Sequence, residues 1–63
     1  MIESGTRGRV DIWGYPEPQF DDTVTGVVIR HVPGQNAILI RLDTTIEGVE
    51  NPLMTRPERF APN

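Results

Sequence analysis

Proline and glycine punctuate this chain so often that helices have little room to form. No stretch of a dozen residues both lacks Pro and Gly and places apolar side chains at i, i+3, i+4 and i+7. What remains is strand-like, with runs of Val, Ile and Thr bounded by clusters of Gly, Pro, Asn and Asp. The first run, residues 7–13, sets Val10 and Ile12 in alternation with Arg9, Asp11 and Trp13, as a strand with one buried face requires. Residues 14–22 form a loop, because Pro16 and Pro18 cannot donate to a central ladder. The second run, 23–32, carries Gly26 in its interior and is expected to bulge or bend there, serving both halves of a barrel. Residues 33–36 are a turn and 37–42 a third strand. A polar loop over 43–48 leads to a fourth segment, 49–55, which Pro52 marks as an edge or as irregular at its start. Residues 56–60 read as one tight turn that drops Phe60 onto the core.

The hairpin register follows from the turn. With residues 33–36 connecting, Val32 faces Ala37, then His31 Ile38, Arg30 Leu39, Ile29 Ile40, Val28 Arg41 and Val27 Leu42. Opposed residues share a face, so Val27, Ile29, Ile38, Ile40 and Leu42, with His31 toward the turn, are expected inside. Val28, Arg30, Val32, Ala37, Leu39 and Arg41 are expected outside. A slip of one residue would exchange the two sets.

The chain has 63 residues, 37% of them hydrophobic. That length supports one domain, residues 1–63, and a thin core, since a chain of this size buries only about 60% of its unfolded surface. A deep, multiply supported reaction centre does not suit it, and the reading is of a non-enzyme. The absence of cysteine removes disulfides, thiol catalysis and the usual zinc sites. It also suits a reducing cytoplasm. The segment 1–5 shows no basic stretch followed by an apolar run, and no apolar run is long enough to span a bilayer, so a soluble cytoplasmic chain that avoids membranes is expected. A net charge of -3 argues against nonspecific neutralisation of phosphates. All the positive charge is arginine, which favours planar, bidentate contacts over lysine chemistry.

Several short strands in so few residues bury two Val/Ile-rich faces best when the sheet bends back on itself, so the expected fold is an all-β small barrel of five strands with a short closing turn near the C-terminus. The opening Gly5-Thr6-Arg7-Gly8-Arg9-Val10, the aromatic loop, the strand Thr25-Gly26-Val27-Val28-Ile29, the hairpin and the final Pro57-Glu58-Arg59-Phe60 together resemble the SH3-like barrel superfamily. Within it the chain is most similar to small electron-transport accessory barrels, such as the photosystem I peripheral subunit and the nitrile hydratase β-type domain. That resemblance implies a role in docking rather than chemistry.

Three of the four aromatic residues fall within eight positions. Trp13, Tyr15, Pro16, Pro18 and Phe20, beside Glu17, Asp21 and Asp22, read as a recognition surface for a proline-rich or arginine-bearing segment of a partner. The plainer reading makes Trp13 and Phe20 plugs for the end of the barrel. The outer hairpin face, with Val28, Leu39, Arg30 and Arg41, reads as a protein interface or a self-association seam. A second functional reading is nucleic-acid binding through Arg7, Arg9, Arg30 and Arg41 with the loop aromatics stacking on bases. His31 with Asp21 or Asp22 makes a poor metal or acid-base site, Ser4 and the threonines lack an activating neighbour, and Gly5-Thr6-Arg7-Gly8 precedes no helix that would cradle a phosphate. No catalytic, cofactor or metal residue is therefore assigned. The expected function is a noncatalytic interaction module or accessory subunit.

Overall fold

The computed structural model describes residues 2–14 and 16–63. Its strands are β1 (Arg7–Val10), β2 (Thr25–Val32), β3 (Ala37–Leu42), β4 (Leu53–Thr55) and β5 (Phe60–Pro62), with a one-turn 3-10 helix at Pro57–Arg59. All pairings are antiparallel and form one sheet in the order β4-β3-β2-β1-β5. The all-β, five-stranded expectation holds, closing turn included, but no ladder joins β4 to β5 among the described residues. The sheet therefore keeps two edges, each only three residues long. No helix is long and apolar enough to cross a membrane among these residues.

The chain packs tightly, with a radius of gyration of 10.5 Å, close to the roughly 10.6 Å expected of a compact chain of this length. Val10, Val24, Val28, Ile38, Ile40, Leu42 and Phe60 make the core, and Ile2, Ile12, Ile46, Val49 and Leu53 pack around it half-buried. Each fully buried Ile or Val contributes about 1.5–3 kcal/mol relative to exposure. Gly8 and Gly26 face each other where β1 meets β2. A side chain at Gly8 would collide with the Ala61 carbonyl and the Phe60 ring, and one at Gly26 would sit 2.6 Å from the Arg41 carbonyl oxygen. The two glycines thus let β1, β2, β3 and β5 approach closely over Phe60.

The turn at 33–36 and the three pairs beside it, Val32 with Ala37, His31 with Ile38 and Arg30 with Leu39, stand as the sequence predicts. Beyond them the register shifts. Val28 pairs with Ile40, Val27 with Arg41 and Gly26 with Leu42, so that Ile29 is the extra residue of a bulge. The bulge expected at Gly26 thus lies at Ile29. The consequence is a correction to the faces: Val28 is 1% exposed and belongs to the core, not to the outer surface, while Val27 takes the outward position. Ala37 is buried as well. The first strand is also shorter than expected, ending at Val10, and the fourth starts only after Pro52.

Candidate functional site

Strand β1 stops because Asp11 turns inward. Its side chain is wholly inaccessible, although the alternation along 7–13 places it on the polar side. One oxygen, Oδ1, accepts from the backbone N–H of Trp13 and of Gly14, each at 2.9 Å. The other, Oδ2, accepts from Arg59 Nη1 at 2.9 Å, and the Asp11 N–H donates to the Arg59 carbonyl. Burial alone would push this carboxyl upward. The N–H groups of Gly14, Trp13 and Gln19 and the Arg59 guanidinium outweigh it, so its pKa lies below the ordinary value. Gly14 has a φ of +81° and lies so close to the Arg59 guanidinium that any side chain there would collide. The loop, the 3-10 turn and the end of β1 are therefore tied at one buried point.

That knot holds Trp13 out in solvent, 50% exposed. The ring stands at a groove of about 400 Å3, with Ile12, Val49, Leu53 and Thr55 among its walls and Glu50 and Arg59 among its charged groups. The opposite wall comes from the β3–β4 loop, which Asn51 fastens to the end of β3 by accepting from the Leu42 N–H at 2.9 Å and donating to the Leu42 carbonyl. A further turn, Val49 N–H to the Ile46 carbonyl, sets Val49 against the core.

Of the residues that the sequence assigns to the aromatic loop, Trp13 lines the groove, Pro16 and Pro18 are exposed and Phe20 is half-buried. Tyr15 lies outside the described residues. Other members of the groove, among them Asp11, Val49, Glu50, Leu53 and Arg59, escape a reading by composition. One signal was available: Asp11-Ile12-Trp13-Gly14 has Asp at the first and Gly at the fourth position of a turn.

The outer face of the sheet is separate. Arg30, Leu39 and Met54 lie opposite one another across β2, β3 and β4, and Arg7, Val27 and Arg41 across β1, β2 and β3. Met54 is 51% exposed and Leu39 half-buried. Arg7 is bound to Asp43 at 2.6 Å and Arg9 to Asp22 at 3.4 Å, whereas Arg30 and Arg41 form no ion pair among the described residues. The Thr25 hydroxyl also donates to Asp43, and with Arg7 it outweighs desolvation to hold that carboxyl below its ordinary range. Asp21 is lowered likewise by the Thr23 N–H and hydroxyl.

His31 contacts the Ile2 carbonyl, while Asp21 bonds Thr23 and Asp22 reaches Arg9, so these groups serve different neighbours. Among the described residues no three His, Cys, Asp or Glu side chains gather as metal ligands would. The chain matches no family model, no curated protein and no solved structure.

Proposed function

We propose that the chain is a noncatalytic protein-interaction module or small accessory subunit of the SH3-like type, at work in the cytoplasm. The return of β5 beside β1 and the 3-10 turn before it support that assignment of type. The carrying observation is Trp13: a large aromatic ring is kept exposed at the lip of a groove by a buried carboxylate that immobilises its backbone. Rigid, half-dry aromatic area is what a peptide-binding surface offers at low entropic cost. Arg30, Leu39 and Arg41, joined by Val27 and Met54, supply a second contact surface for assembly. The groove's polar groups suit recognition better than chemistry, because the Asp11–Arg59 pair is already closed upon itself. Binding of nucleic acid is disfavoured by the aspartates seated on Arg7 and Arg9.

Trp13 is the sole tryptophan, so its emission reports directly on the groove. Peptides selected from a random short-peptide library should shift and quench that emission, with little response to salt. Selected peptides that bind Trp13→Ala as tightly as the parent, with both proteins folded by circular dichroism, would remove the groove as the site. Single-stranded RNA that binds with a steep salt dependence would favour the nucleic-acid reading instead.

A further inference from the structure

The groove beside Trp13 contains two carboxylates, Asp11 and Glu50, and one guanidinium, Arg59. Asp11 and Arg59 cancel across their 2.9 Å contact, and Asp11 is out of reach of any visitor. Nearby Arg56 has its own partner in Glu58, at 4.0 Å. Arg59 stays partly accessible but is engaged by Asp11, so the unengaged charge on the groove is that of Glu50, which is exposed and forms no ion pair among the described residues. Around it the apolar walls are Ile12, Trp13, Val49 and Leu53, with Thr55 and Arg59 as polar members. An unpaired carboxylate in a groove of mixed polar and apolar walls, with Trp13, Val49 and Leu53 beside it, is complementary to a cation carried on an apolar stem.

We propose that this groove receives an arginine side chain from an extended segment of a partner protein. The guanidinium stacks on the Trp13 ring and pairs with Glu50, and its methylenes lie along Val49 and Leu53. A planar, weakly hydrated guanidinium suits an indole face better than the compact ammonium of lysine. This proposal rests on the interaction-module reading and specifies the ligand chemistry of the same site.

The test uses the whole chain and two small probes, N-acetyl-arginine amide and its uncharged isostere N-acetyl-citrulline amide, followed by two-dimensional NMR. The arginine probe should shift the Trp13 indole N–H and the Glu50 amide saturably. The citrulline probe should bind roughly fivefold more weakly, as loss of one partly exposed ion pair implies. Glu50→Gln, a change at an exposed position, should erase that preference without altering the rest of the spectrum. Equal binding of the two probes, a preference that survives Glu50→Gln, or shifts confined to the Leu39 and Met54 face would each overturn the proposal. The two readings fail separately. Library peptides that bind the groove regardless of charge would leave an interaction module without an arginine site.

Discussion

The groove and the outer sheet face are both surfaces, yet they are built in opposite ways. Around the groove the backbone is held by side chains: Asp11 binds two N–H groups and a guanidinium, and Asn51 binds both polar groups of Leu42. On the sheet face the backbone is held by its own ladder, and side chains such as Arg30, Leu39 and Met54 are passengers. A surface of the first kind has a fixed shape and depends on few residues. One of the second kind can change its chemistry at little cost in stability.

The sharpest way to break this contrast is Asp11→Ala. Removing one partner from a buried, hydrogen-bonded pair costs about 3 kcal/mol, against a total of roughly 3–9 kcal/mol for a domain of this size. Urea denaturation followed by Trp13 emission should show the loss, and a change below about 0.5 kcal/mol would mean that the loop is held by something else. Next comes the bulge. Val28→Ala should cost about 2 kcal/mol and Leu39→Ala less than about 1 kcal/mol; the reverse order in thermal melts would restore the unbulged register.

The effect of acid is smaller. Folded Asp11, Asp21 and Asp43 are all lowered from 3.8, so the stability they lend is present above that value and lost as pH falls through their lower folded values. Melting temperature should therefore drop below about pH 4, where unfolded carboxylates begin to bind protons, and Asp11→Asn should flatten that limb. Smallest in stability are Trp13→Ala and Leu39→Glu, each expected within about 1 kcal/mol of the parent. The first should abolish peptide capture, and the second should weaken a partner complex or dimer while sedimentation shows an intact monomer.

The all-β character was legible because no Pro- and Gly-free stretch carries helical apolar spacing and the β-branched runs have strand length. The hairpin was legible near its turn, where Pro33 to Asn36 anchors the register. It was lost farther on because Val27, Val28 and Ile29 are interchangeable in hydrophobicity, so no alternation distinguishes the bulged pairing from the regular one. Gly26, chosen as the irregular point, instead serves a close approach of strands. Trp13 was found from local clustering. Glu50, Val49 and Arg59 were not, because they meet Trp13 only through the fold, and Asp11 looks like an ordinary exposed carboxylate until its turn is recognised.

The two short margins of the sheet bear on how the chain behaves in a crowded solution. Among the described residues no α-helix shields the borders of this sheet, and unpaired strands are where fibrils begin. Here each border offers only three residues; Pro52 stands immediately before one and Pro62 ends the other. A would-be templating strand finds too few amides to zip onto, so association is left to side chains, which can select a partner.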